Sequence, residues 1–375
     1  LDALQLLAGD AQTFIDKVWA SRVHVHHAEA ADVAGLLSLD DVDHLLTGTA
    51  LRTPALRLAK DGAVLPPAKF TRSATLAGVA MTGLVDARKV LDLFDSGATV
   101  VLQGLHRYWP PLTGLVRSLE LALGHPCQAN AYLTPPGSQG FALHPDTHDV
   151  FVVQTHGRKL WEVHDETGVR EILMQPGTSV YLPTGTPHAA CTQETESLHV
   201  TIGINQVTWR DVLTRAVSSV LSSHEYDAHL PAGYPRDPEG LTEQLAGRVH
   251  TVAAAVTRLD PSRAAADEIE RFLSTRTSVL RRGLSDRLAV RNLTDDTLLR
   301  RRAGSVCEVA VAGETLRVFL GDRELRMPRW MGTPMEQLRS VPQLHPRDLA
   351  RWLDPDSRLV LTRRLVVEGL LEVVG

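Results

Sequence analysis

Three short stretches of this chain hold side chains able to bind a metal or an anion. His144-Pro145-Asp146 sets an imidazole and a carboxylate two residues apart. On a strand that spacing turns both to one face, where they converge on a point. In a chain with 16 histidines a His-x-Asp also arises by chance, and a surface turn is its plainer reading. The second stretch, Pro176 to His188, reads as turn, short strand, second turn and histidine. Pro183 and Gly185 fix a bend that sends His188 onto an adjoining strand. In the third, Gly157-Arg158-Lys159-Leu160-Trp161-Glu162, alternation places Lys159, Trp161 and Val163 on one side of a strand. A solvent-facing lysine on an edge strand is the alternative there.

Other candidates carry less. His24, His26 and His27 read as a chance cluster on an edge rather than a metal site. His148, His156 and His164 flank the strands, with His148 close enough to the site to contact a substrate. His199 reads as a core histidine or a support behind the ligands. Cys127, Cys191 and Cys307 are odd in number and far apart, so they support neither a disulfide framework nor a thiolate zinc cluster. Cys191 reads as a small core residue, since nothing around it lowers a thiol pKa.

The Pro176–His188 stretch resembles the second motif of the cupin superfamily, with its Pro-Gly, Pro-x-Gly and final histidine at the usual offsets. The first cupin motif normally supplies two histidines and a glutamate. Here the matching segment, Gly140 to Gly157, supplies only His144 and Asp146. The resemblance therefore implies a metal site of His144, Asp146 and His188. Two histidines and one carboxylate leave three positions open, which suits non-haem Fe(II) and O2 chemistry. Zinc with three protein ligands stays open as an alternative. A lysine directed into a barrel is costly unless an anion meets it, and the distal carboxylate of 2-oxoglutarate would do so at Lys159.

A more specific resemblance runs from Asn130-Ala131-Tyr132-Leu133-Thr134-Pro135-Pro136-Gly137 through His144-Pro145-Asp146, Asp149-Val150-Phe151, Gln154 and Gly157-Arg158-Lys159-Leu160-Trp161. These residues are similar to the JmjC-type ribosomal oxygenases, which are 2-oxoglutarate-dependent protein hydroxylases. Phe14-Ile15-Asp16-Lys17-Val18-Trp19 extends the likeness toward the N-terminus, and beyond residue 207 it is one of layout. The resemblance implies Fe(II) held by His144, Asp146 and His188, and 2-oxoglutarate held through Lys159. It places Asn130 and Tyr132 in the co-substrate and substrate pocket, and Thr201 on the last strand beside it. It implies consumption of O2 and hydroxylation of a ribosomal-protein side chain, histidine or arginine, with Lys159 tilting toward histidine. Two other readings stay open. One keeps the chemistry on a peptide natural product, an amino acid or a methyl-lysine, and the other is a non-enzymatic cupin and winged-helix regulator.

The elements that must position these residues give an α+β fold. From Gln128 to Asn205 many short β-type runs, punctuated by Gly and Pro, indicate a sandwich or barrel. Before them come helices from about Asp10 to Ala20, after the Asp86 cap through Leu93, and over Leu112–Leu123. Helical patterns follow at Trp209–Ser222, Leu241–Thr257 and Pro261–Ser274, too thin a piece to bury much core alone. The end of the chain shows a hairpin (Cys307–Val311, Leu316–Leu320), helices near Pro346–Leu353 and Asp356–Val367, and a strand at Leu370–Val374. With the resemblance, this divides into a JmjC/cupin double-stranded β-helix barrel with N-terminal helices (1–207), an all-α dimerisation region (208–278) and a winged-helix-like C-terminal domain (279–375). A homodimer through the helical region is the expectation.

Composition is ordinary for a globular protein: 375 residues, 43% hydrophobic, formal charge −5, mean hydropathy −0.07 and pI near 6.4. No apolar run is long enough to span a bilayer, so the expected partners include no membrane and the expected address is cytoplasmic. The acidic balance argues against direct nucleic-acid binding by the whole molecule. From Arg281 onward 17 arginines face 13 acids, a net +4, read here as arginines dispersed on solvated faces. Only five basic residues are lysines, Lys17, Lys60, Lys69, Lys89 and Lys159.

Overall fold

The computed structural model describes residues 2–138, 142–191 (Cys191 by its backbone alone) and 194–374. Helices α1 (Ala3–Ala8) and α2 (Ala11–Lys17) open the chain, each started by an aspartate, Asp2 and Asp10, whose carboxylate accepts first-turn N–H groups. Strand β1 (His24–His27), helices α3 (Ala30–Ala34) and α4 (Leu39–Thr47), and strands β2 (Leu56–Lys60), β3 (Ala63–Val64), β4 (Thr71–Leu76) and β5 (Val79–Val85) follow. Then come α5 (Ala87–Asp95), β6 (Thr99–Leu102) and α6 (Pro110–Leu123). Helix α6 starts on Pro110-Pro111 and stops at Gly124, whose φ of 72° is the left-handed C-terminal stop.

The barrel strands are β7 (Cys127–Thr134), β8 (His144–Pro145), β9 (Asp149–Gly157), β10 (Lys159–Asp165), β11 (Gly168–Met174), β12 (Thr178–Leu182), β13 (Pro187–Cys191) and β14 (Ser197–Ile204). Among the described residues they form two facing sheets. One runs β1-β12-β9-β14-β7-β6-β2-β3 and the other β11-β10-β13-β8. Strand β9 carries a continuous apolar stretch, Val150–Val153, because both of its faces are buried there. Phe151 and Val153 pack on the N-terminal helices and α6, while Val150 and Val152 pack with Trp161, Val163, Val180 and Leu182 between the sheets. The three histidines His24, His26 and His27 lie on β1, an edge of the large sheet.

After the barrel, Thr208 and Asp211 form a capping box for α7 (Trp209–Leu221). Helices α8 (Pro238–Thr257) and α9 (Pro261–Ser274) follow; α7 and α8 bury no residue fully and α9 buries only Leu273. The remainder contains α10 (Gly283–Ala289), β15 (Leu299–Arg301), β16 (Glu308–Ala312), β17 (Thr315–Phe319), β18 (Glu324–Pro328), α11 (Gly332–Ser340), β19 (Gln343–Leu344), α12 (Pro355–Val367) and β20 (Leu371–Val373). Leu299, Leu316, Val318, Met335, Leu365 and Leu371 share its core.

Several boundaries differ from those read in the sequence. The helix expected over Pro346–Leu353 is a 3-10 turn at Pro346–Leu349. The helix expected to reach Ala20 ends at Lys17, and Ala20 takes a positive φ of 54°. The hairpin gains a third strand, β18. Among the β-type runs, β8 is described from His144, and Phe141 and the Cys191 side chain lie outside the described residues.

Gly157 joins β9 to β10 with φ of +66°, and a Cβ there would stand 1.9 Å from the Glu196 carbonyl oxygen. We expect Gly157→Ala to lower stability by more than about 1 kcal/mol. Urea unfolding checks this, and an unchanged midpoint would contradict the strain.

Candidate functional site

Strand β13 pairs antiparallel with β8 so that His188 stands opposite His144 and Pro187 opposite Pro145. Asp146 follows β8 directly, outside the strand, so strand alternation does not bring it to the site. The turn does: the Gly185 N–H donates to the Asp146 carbonyl at 2.9 Å, and Gly185 takes a φ of +83°. The two imidazole Nε2 atoms lie 3.9 Å (His144) and 3.7 Å (His188) from the Asp146 carboxylate oxygens. All three ligand atoms fall within 4.8 Å of one another, and they are the one such cluster found among the described residues.

Each histidine is oriented from behind. His144 Nδ1 donates to the Ala142 carbonyl at 2.7 Å and His188 Nδ1 to the Thr186 carbonyl at 3.0 Å. A carbonyl can only accept, so both Nδ1 atoms carry a proton, and Nε2 is in each ring the atom turned toward the carboxylate. Burial holds the His188 imidazole below its ordinary pKa, against the opposing pull of Thr186 and Asp146. Trp161 stacks on it with ring centres 5.5 Å apart. Two imidazoles and a carboxylate at this spacing form a donor set fit for a divalent transition metal.

The triad lines a cavity of about 280 Å³ with Tyr132, Thr134, Lys159, Trp161, His199 and Thr201. Lys159, at the start of β10, is 3% exposed, and its Nζ donates to Thr134 Oγ1 at 2.9 Å. Thr134 Oγ1 in turn accepts from Thr99 Oγ1 at 3.2 Å. Tyr132 stacks on His199, ring centres 5.0 Å apart. Burial raises the Tyr132 phenol pKa, and a hydrogen bond with Arg57 opposes the rise. Burial, reinforced by the Lys159 ammonium, keeps His199 neutral and well below the usual histidine range. Its Nδ1 is buried and makes no hydrogen bond among the described residues.

Of the residues singled out in the sequence, the cavity gathers His144, Asp146, His188, Lys159, Tyr132 and Thr201. Asn130 stands apart: its Oδ1 accepts the Gly104 N–H at 3.0 Å, and it is not among the lining residues. His148 is also outside the lining, and His156 and His164 pair with Glu196 and Glu162. Sequence reading missed Arg57, Lys60, Asp61 and Thr99, which the β2–β3 hairpin and β6 bring to the cavity. The one sequence sign was Arg57 itself, an arginine between the leucines of a strand that buries Leu56 and Leu58.

A family model described as JmjC domain matches residues 115–212. Ribosomal oxygenase 1 of Danio rerio is 31% identical over 172 residues, covering 40% of this chain and 32% of that protein. A Branchiostoma floridae protein named bifunctional lysine-specific demethylase and histidyl-hydroxylase NO66 is 33% identical over 158 residues, covering 41% of this chain and 26% of its own. The chain thus spans well under half the length of these curated relatives. The Escherichia coli ribosomal oxygenase YcfD shares the fold over 98% of this chain and 99% of its own, with a TM-score of 0.56 and 15% identity. A structure of that protein in complex with cobalt and 2-oxoglutarate matches at a TM-score of 0.56 and 16% identity.

Buried neutral histidines tie stability to pH. The folded pKa of His199 lies below the unfolded value of about 6.5, so below that pH the unfolded chain binds the extra proton. Stability is therefore full above about pH 7 and falls as the pH drops toward 5. We expect His199→Phe, which can keep the stack on Tyr132, to flatten this decline in urea unfolding between pH 7.5 and 5.5. An unaltered slope would show that His199 does not contribute.

Proposed function

We propose that this chain, whose residues 115–212 form a JmjC domain, is an Fe(II)- and 2-oxoglutarate-dependent oxygenase that hydroxylates a histidine or arginine side chain of a ribosomal protein. The observation that carries the reading is one cavity holding a two-histidine, one-carboxylate set and a buried lysine. The relatives named ribosomal oxygenase support the substrate class. Lys159 inclines the choice toward histidine.

Fe(II) and 2-oxoglutarate, when bound, activate O2, release succinate and CO2 and place one oxygen on a C–H carbon. The chain's own part is binding and orientation. His144 and His188, through Nε2, and Asp146, through its carboxylate, would hold the metal. Lys159, steadied by Thr134 and Thr99, meets the distal carboxylate. Trp161 and Val152 supply an apolar wall that excludes water.

The whole-molecule reading adds a homodimer. Trp209 on α7 is 80% exposed, and Leu213, Leu245, Val249 and Ile269 are about 60% exposed, an apolar surface that a second copy would cover. Residues 279–375 are read as winged-helix-like, with α10 and α12 packed beside the β19-β15-β20 sheet. No described helix is long and apolar enough to cross a membrane, and a cytoplasmic site of action accompanies this reading.

Four sets of measurements test it. Succinate release should rise with ribosomal-protein peptides, with a +16 Da product by mass spectrometry. Release with small molecules alone would point to another substrate class, and no turnover with any of them would remove the enzyme reading. His144→Ala and Asp146→Ala should abolish turnover and Co(II) binding. Lys159→Ala should raise the 2-oxoglutarate requirement about tenfold or more, from loss of a charge-assisted contact; an unchanged requirement would refute the co-substrate assignment. In light scattering the chain should run as a dimer, and Leu213→Glu with Leu245→Glu as a monomer.

A further inference from the structure

A second, larger cavity, about 1020 Å³, lies where the barrel, the segment after α9 and the C-terminal unit meet, and it shares no lining residue with the metal site. Eight arginines line it against two acids, Glu120 and Glu372. Arg107 and Arg117 come from the turn before α6 and from α6 itself. Arg276, Arg281 and Arg282 come from the segment after α9, and three consecutive arginines, 300 to 302, from β15 and its end.

The acids are already engaged. Glu120 binds Arg117 and Arg276, each at 2.6 Å. Glu372 binds Arg300 at 2.5 Å, and Asp286 binds Arg302 at 2.6 Å. Arg107, Arg281, Arg282 and Arg301 have no carboxylate within ion-pair distance among the described residues, and Arg301 donates only to the carbonyls of Arg339 and Ser305. Two further donors are buried without a hydrogen bond, Arg117 Nε and Arg302 Nη1, the latter 3.8 Å from Glu372. The Arg117 side chain is nine-tenths buried and that of Arg302 more fully so. Like charges gathered in a partly enclosed space repel strongly, and a bound counter-anion relieves that cost.

We propose that this cavity is a binding site for a ligand carrying several phosphate groups. Planar guanidinium forks match phosphate oxygens two at a time. A phosphate offers up to two charges on clustered oxygens, which fits the density of arginines better than single carboxylates spread along a peptide. The volume is at the upper end of small-molecule sites and exceeds what one phosphate fills. A free polyphosphorylated compound and a stretch of phosphodiester backbone present the same chemistry. The proposal is independent of the oxygenase reading.

The test uses the full chain with three probes: inorganic tripolyphosphate, a fluorescent 12-nucleotide RNA and a hexaglutamate peptide. The variant combines Arg107→Ala, Arg281→Ala and Arg282→Gly. All three positions are exposed, and Gly suits the left-handed φ of 66° at 282. Tripolyphosphate or RNA should bind, and the variant should weaken binding about tenfold or more. Tripolyphosphate alone identifies a free ligand. RNA bound more tightly, with a salt slope that drops by about two in the variant, identifies a nucleic-acid backbone. Absence of binding by both phosphate probes, equal affinity in the variant, or equal binding of hexaglutamate would overturn the proposal. Thermal melting verifies the variant's fold, and Arg281→Glu alone repeats the comparison if the triple variant does not fold.

Discussion

The buried carboxylate of Asp149, at the first residue of β9, accepts from the Tyr181 hydroxyl and from both the N–H and the hydroxyl of Thr184 at 2.7 Å. Tyr181 in turn accepts the Ala20 N–H at 2.9 Å, and Thr184 Oγ1 accepts from Gln206 at 3.0 Å. One carboxylate therefore ties the N-terminal segment, two central strands and the exit from β14 to a single point. The bend at Pro183–Gly185 hangs from it, and that bend delivers both His188 and the Asp146 loop. Burial, helped by the neighbouring carboxylate, drives the Tyr181 phenol pKa upward and keeps it a donor. At its buried end, Asp149 and Tyr181, such a polar knot specifies one arrangement, because removing either leaves the other without a buried partner. Around it, Tyr181, Phe14 and Phe151 close an aromatic cluster, Tyr181 edge-on to Phe14 at 4.9 Å.

What could be read in the sequence was local. His144, Asp146 and His188 sit in motifs whose turns are written in Pro and Gly, and Lys159 follows Gly157 on a strand with clear alternation. Asp10 and Asp86 mark the starts of two helices to within a residue, while the end of the first lies at Lys17, three residues short of the expected Ala20. What could not be read was the wall that the first hundred residues build. Arg57, Lys60 and Asp61 reach the cavity because β2 pairs with β6 and β6 with β7, pairings across gaps of dozens of residues with no local mark. Asn130 shows the converse, since its type and place fit a pocket residue yet its amide is committed to Gly104.

The C-terminal arginines show a similar limit. A net count describes them as ordinary surface charge, and many do form exposed pairs such as Arg347 with Asp296. The tertiary fold nevertheless draws eight of the chain's arginines around one cavity, because the turn after β15, at Gly304, and the segment after α9 both close on α6. Glu120 is central to that closure. One oxygen accepts from Arg276 and the Cys127 N–H, the other from Arg117, so a single carboxylate links α6, the start of β7 and the inter-domain segment.

The scarcity of lysine has a practical side. Lys17, Lys69 and Lys89 are exposed, Lys60 is half-buried, and beyond residue 89 the one remaining lysine, Lys159, is sealed in the barrel. Amine-directed labels, cross-linkers and coupling surfaces can thus grip lysine side chains only between residues 17 and 89. A protein immobilised through lysine side chains would be held within residues 17–89 and never through the helical region or the C-terminal unit.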